Sequence, residues 1–107
     1  MTDEAHEPII SDLEDDPDLW ELVEYFVEKM PTLLDEINTA MEKPDMDQLR
    51  KWAQAFKGVA VRGGFLPLAE KAIRIEQLVA IDNMEKLHLV VDELHQLCRR
   101  VETSHKP

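Results

Sequence analysis

The sequence predicts an all-α protein, an antiparallel up-down four-helix bundle. Three observations carry that prediction. Apolar residues recur at helical spacing in four successive stretches. Capping residues, prolines and glycines mark the ends of those stretches. No alternating apolar–polar run and no Asn-Gly pair signals a strand or hairpin. The chain has 107 residues, one domain's worth, and only three glycines. That length suffices for a single core. Helices joined by connections of a few residues pack antiparallel to their sequence neighbours.

Residues 1–15 read as an acidic N-terminal segment, partly disordered. Its apolar cluster of Ile9, Ile10 and Leu13 is expected to dock on the bundle as a short helix or lid. The bundle proper is expected over residues 16–102. Asp16-Pro17 opens it, with a capping side chain followed by proline where a missing N–H is harmless. The first helix presents Leu19, Leu22, Val23, Phe26, Val27, Met30, Leu33, Leu34, Ile37 and Met41 at helical period. Pro31 removes the bond to residue 27, so this long helix should be kinked or split there. Lys43-Pro44-Asp45 ends it, and Asp45 with Gln48 forms a capping box for the second helix. That helix carries Leu49, Trp52, Ala53, Phe56, Val59, Ala60 and Gly63 inward, and Gly63-Gly64 closes it. Pro67 starts the third helix, which turns Leu68, Ala72, Ile75 and Val79 inward. Asp82 and Glu85 read as the capping box of the fourth, whose apolar side holds Met84, Leu87, Val90, Val91, Leu94, Leu97, Cys98 and Val101. Residues 103–107 read as a frayed tail.

Charge narrows the function classes. The net charge is −11, which argues against nucleic acid as a partner, because phosphate backbones need clustered Lys and Arg. No apolar run approaches the ~18 residues of a membrane span, and no basic region precedes an apolar one as in a signal peptide. The single cysteine, Cys98, fits a reducing cytoplasm. The acidity is uneven. Residues 1–49 hold 16 acids and two bases, whereas residues 50–74 hold six bases (Arg50, Lys51, Lys57, Arg62, Lys71, Arg74) and one acid, Glu70. Some of these bases should neutralise the domain's own acidic helices; the rest are candidates for an outside partner.

The basic region coincides with the segment Trp52 to Ala60. On a helical projection Gln54 points away from the apolar stripe. Arg50 and Lys51 lie one turn before it, and Lys57, Gly58 and Val61 follow. A mid-helix glycine costs about 1 kcal/mol against alanine, a cost usually tolerated where something approaches the helix closely. Phe65 is expected near the same face. The result is a polar centre with bases, a gap and an apolar edge, the elements of a docking surface.

These residues resemble the signature of histidine-containing phosphotransfer (HPt) domains: Ala-His-x-Leu-Lys-Gly-Ser/Ala-Ala, then Gly, three residues and Leu. Ala53, Phe56, Lys57, Gly58, Ala60, Gly64 and Leu68 fall at matching positions. Upstream, Ile10-Ser11-Asp12-Leu13 through Asp16-Pro17-Asp18-Leu19, and Leu22-Val23 to Pro31, are similar to the family's first long helix. The resemblance implies a cytoplasmic phosphorelay domain that exchanges phosphate with the receiver domain of a response regulator or hybrid sensor histidine kinase. It implies that Lys57, with Gly58, supports the phosphoryl group; the helical projection gives Arg50, Lys51, Val61 and Phe65 as the residues expected to dock the receiver. This sequence departs at the central position, where the family's phosphorylated histidine is replaced by Gln54. Imidazole offers a lone pair that can carry a phosphoryl group. A carboxamide nitrogen does not, because its lone pair is delocalised into the carbonyl. The chain as written is therefore expected to be non-phosphorylatable at that site and without catalytic activity. Glutamine there fits either a natural binding-only relative or a substituted phosphotransfer domain. The alternative reading is a non-catalytic interaction or regulatory module.

No cofactor and no metal is expected. His6 and His105 fall in the terminal segments, and His88 and His95 flank the apolar side of the fourth helix without a lysine–glycine pair. Glu85-x-x-His88 is half of a di-metal bundle motif, which needs the same motif on a second helix. Trp20, Trp52 and Phe26 read as packing residues.

Overall fold

Each helix forms where the apolar period predicts it. The computed structural model describes residues 8–102. The expectations for the chain's start and tail, with His6 and His105, lie outside the described residues. In order, the chain forms β1 (Ile9–Ile10), a 3-10 turn (Pro17–Leu19), α1 (Trp20–Glu42), α2 (Met46–Arg62), α3 (Leu66–Ala80), α4 (Met84–Arg99) and β2 (Val101–Glu102). Each helix packs on the next, and α4 returns to touch α1. This is the up-down bundle expected.

Helix starts follow local chemistry. Asp16 accepts from Asp18 N–H at 3.1 Å and caps the 3-10 turn, with Pro17 at its first position. The turn leads directly into α1, which runs through Pro31. Of the two expectations at Pro31, a kink or a split, the split is excluded. Asp45 caps α2 by accepting from Gln48 N–H at 3.1 Å. At the start of α4 the cap is Asn83, accepting from Lys86 N–H at 3.1 Å, rather than Asp82 as the sequence suggested. Asp82 instead takes a left-handed turn, φ 52°, at the end of α3. A short polar side chain tolerates that conformation.

The core sits between all four helices. It contains Val23, Phe26, Ile37 and Ala40 of α1, Leu49, Ala53, Phe56 and Ala60 of α2, Leu68, Ala72, Ile75 and Leu78 of α3, and Leu87, Leu94 and Cys98 of α4. Phe26 meets Phe56 edge-on at 5.5 Å and Phe65 at 4.8 Å. Fully burying one such side chain contributes about 1.5–3 kcal/mol. Leu22, expected inward, is exposed, and Val79 is only half-buried with Leu78 taking the inner place. Burial pushes the Cys98 thiol from its ordinary 9.0 up to about 12.

Of the two expectations for Ile9 to Leu13, a short helix or a lid, the helix does not form; the segment docks over the bundle in extended and turn conformation. Ile9 and Ile10 pair in parallel with Val101 and Glu102. Two-residue strands are too short to leave an alternating pattern. The chain then turns onto the α2–α3 corner. Ser11, buried, donates its hydroxyl to Gly63 O, and Asp12 N–H donates to Gly64 O at 3.0 Å. Leu13 N–H donates to Ser11 Oγ at 2.9 Å. Both glycines are needed for this clasp, for different reasons. A Cβ on Gly63 would lie 2.9 Å from Phe26 Cβ, so α1 could not approach. Gly64 has φ +79°, and a Cβ there would lie 2.5 Å from Ser11 Oγ and 2.9 Å from Leu13. That φ favours glycine over every L side chain.

Gly64→Ala should therefore lower stability by about 1–3 kcal/mol, combining backbone strain with loss of the clasp. Urea unfolding would show a lower midpoint; an unchanged midpoint would mean the segment does not occupy the corner. Cys98 offers a pH test. The folded state holds its proton more tightly, so stability is intact below the unfolded thiol's pKa and falls as pH rises from about 9 to about 12. At pH 8 a thiol reagent should label native protein far more slowly than protein in denaturant. Equal rates would place the thiol at the surface.

Candidate functional site

Helix α2 is rotated by its own core residues. Leu49, Ala53, Phe56 and Ala60 are buried, which leaves Gln54 exposed on the outer side. Arg50 and Val61 share that side, Val61 with half of its surface open. The sequence placed Arg50, Lys51, Lys57, Gly58 and Val61 with Gln54 on the outer side of α2; Arg50, Lys51, Gln54 and Val61 are exposed there, whereas Lys57 and Gly58 are partly covered.

Phe65 does not belong there. It is fully buried, 0% exposed, against Phe26. The expectation assumed that α2 ran on past Arg62. Instead the left-handed turn at Gly64 redirects the chain, Phe65 becomes the cap residue of α3, and its ring points into the core. Leu68, the last residue of the signature, is also fully buried. Gly64 and Leu68 therefore build the corner rather than the surface. Exposed apolar residues on α2 and α3 are Val61, Leu66 and Ile73. The pairing of Lys57 with Glu76 sets the antiparallel register. It puts Ile73, one turn before Glu76, about level with Val61, one turn beyond Lys57.

The bases are not a uniform ring. Lys57 Nζ lies 2.9 Å from Glu76 Oε1 on α3. Lys71 lies 3.0 Å from Glu93 on α4. These two neutralise the domain's own acids, as the charge distribution suggested for part of the set. Arg50 approaches Asp47 at 3.9 Å, with both side chains largely in solvent, so the pair contributes little. The Lys51 ammonium sits over the Trp52 ring, 5.1 Å from its centroid. Trp52 is half-buried and borders a cleft of about 120 Å³ with Glu36, Thr39, Ala40 and Gln48.

Two contacts beside the lysine–glycine pair were not foreseen from the sequence. Arg62 folds back and donates Nε–H to Gly58 O at 3.2 Å, laying its guanidinium over the glycine. Its spacing of four from Gly58 was the available signal. Glu76 approaches only because α3 packs antiparallel on α2. Nothing in the local sequence announces a contact across 19 positions.

The histidines lie elsewhere. His95 Nε2 is 2.7 Å from Asn38 Oδ1 on α1. The contact ties one edge of the His95 ring to α1. His88 is exposed and borders a groove with Asn38, Met41, Glu42, Val91 and Asp92. Both sit on α4, which packs on α3 and α1. Among the described residues no group of His, Cys, Asp and Glu could hold a metal ion, and no helix is long and apolar enough to cross a membrane.

Gly58 is the most informative residue of the face. A Cβ there would meet only the flexible end of Arg62, at 3.4 Å. The fold therefore does not require glycine at this position. Gly58→Ala should raise stability by about 1 kcal/mol, measured as a higher unfolding midpoint. A drop in stability would show that the fold itself depends on the glycine.

A family model described as Hpt domain matches residues 21–104, most of the chain. Neither the curated proteins nor the solved structures gave a match. Hpt domains are helical bundles that act in phosphorelays and interact with receiver domains of two-component systems. With four antiparallel helices, a partly covered lysine–glycine pair beside the exposed Gln54 on the second, and a match over α1 to α4, the chain belongs to the Hpt domain family.

Proposed function

We propose that this chain docks receiver domains through the outer side of α2 and does not accept a phosphoryl group at Gln54. The observation that carries the reading is an exposed amide with Lys57 and Gly58 three and four positions on, where the fold gives no reason for glycine. Arg50 and Lys51 supply charge for an acidic receiver pocket. Val61 supplies an apolar edge, and Gly58 the close approach. Phe65 is withdrawn from the docking set, since it is buried. The partner is the receiver domain of a response regulator or of a hybrid sensor histidine kinase, met in the cytoplasm. In a histidine form the same face relays phosphate between receiver aspartates. With glutamine the chain is a binding module.

The chemistry follows from position 54. A neutral imidazole attacks phosphorus with an in-plane lone pair. The glutamine amide has comparable reach but no such nucleophile. His88 and His95 do not replace it. They lie on α4, and the Nε2 of His95 is engaged by Asn38.

The test uses a receiver carrying labelled phosphate, incubated with the unmodified chain and with Gln54→His. Label should transfer to the variant and stay below detection on the unmodified chain. Label on the unmodified chain would reveal another acceptor and overturn the reading. A variant that stays unlabelled would also overturn it, because position 54 would then not face the receiver's phosphate.

A further inference from the structure

We propose that Glu76 is a positioning residue of this face: it holds Lys57 as an ion pair and keeps its ammonium from serving an anion at position 54. The inference deepens the preceding reading and rests on it.

The geometry is specific. Lys57 follows Gln54 by three residues, so the two share one flank of α2. That flank faces α3, because Lys57 Nζ reaches Glu76 Oε1 at 2.9 Å. The Lys57 side chain is 37% exposed and the Glu76 side chain 19%. Glu76 Oε1 itself is sealed from solvent, and its contact with Lys57 is the close approach of an ion pair rather than an aligned hydrogen bond. Of the two partners, the acid is the more fixed. It therefore decides where the lysine points.

One effect follows. The ammonium is spent on a neighbouring carboxylate, so a phosphoryl group at position 54 must compete for it. Because one oxygen of Glu76 is buried, solvent screens the pair less than it screens Arg50 and Asp47, both largely open. Gln54 and Glu76 thus act in the same direction. The first removes the nucleophile, and the second withdraws the cation that would steady the transferred group.

In the histidine variant the transfer step is simple. The imidazole lone pair forms the P–N bond as the P–O bond to the receiver aspartate breaks. The aspartate carboxylate keeps that electron pair, and the proton on the ring's other nitrogen stays with the ring. Charge develops on the leaving oxygen and persists on the phosphoryl oxygens. A free ammonium at Lys57 would stabilise that charge by a charge-assisted contact.

The experiment compares label transfer from a phosphorylated receiver to Gln54→His and to Gln54→His/Glu76→Gln, each also with Lys57→Met. With Lys57 present, Glu76→Gln should speed transfer about tenfold, the scale of one hydrogen bond to a charged group. With Lys57→Met it should change the rate little, a dependence that a purely structural role for Glu76 would not produce. Glu76→Met fills similar volume without charge and serves the same comparison if the glutamine variant does not fold, with circular dichroism as the check. Equal rates with Lys57 present would overturn the role of Glu76 while leaving the Gln54 reading intact, since Gln54→His still takes label. A speed-up that persists in Lys57→Met would mean that Glu76 acts through its own charge, and the positioning role falls. No label on any variant would instead defeat the reading of position 54.

Discussion

The rotation of α2 about its own axis is the constraint on which the rest depends. Leu49, Ala53, Phe56 and Ala60 all lie at or near zero exposure, and Phe56 is held edge-on by Phe26 of α1. No other rotation buries that stripe. With it fixed, Gln54 faces outward, Lys57 turns toward α3, and Gly58 lies on the outer side under the Arg62 side chain. The proposed docking face is a consequence of core packing on its reverse.

The corner between α2 and α3 is the second fixed point. Gly63 lets α1 come close, and Gly64 makes the left-handed turn that carries Phe65 into the core beside Phe26. The N-terminal segment then closes over the corner through Ser11 and Asp12. The signature residues therefore divide by physical role. Gly64 and Leu68 serve the fold. Gly58 serves no packing need, and a substitution there would strengthen the helix. A residue that costs stability without a structural return points to a surface under another demand.

Much of this was legible in the sequence. Helix number, order and nearly all core positions followed from apolar period, because burial on one side of a helix leaves a repeat of 3.6 residues. The exposure of Gln54 followed from the same projection. What failed depended on turns or on contacts between helices. Phe65 was placed outside because a helical projection cannot see the break that Gly64 introduces. The cap of α4 was assigned to Asp82, yet Asn83 holds it, a difference of one residue between two good capping side chains. The docking of Ile9 and Ile10 as a two-residue parallel pair has no periodic signature. The Lys57–Glu76 pair joins residues of different helices and became visible only with the register of α2 on α3.

The central claim is that this bundle presents the outer side of α2 to a receiver while lacking the group that takes phosphate. Backbone amide shifts of the unmodified chain, followed during titration with a receiver domain, test it most directly. The largest changes should cluster at Arg50, Gln54, Gly58, Val61 and Arg62, leaving the α4 amides around His88 and His95 near their free positions. Changes centred on His88 and His95, with the α2 amides unmoved, would contradict it.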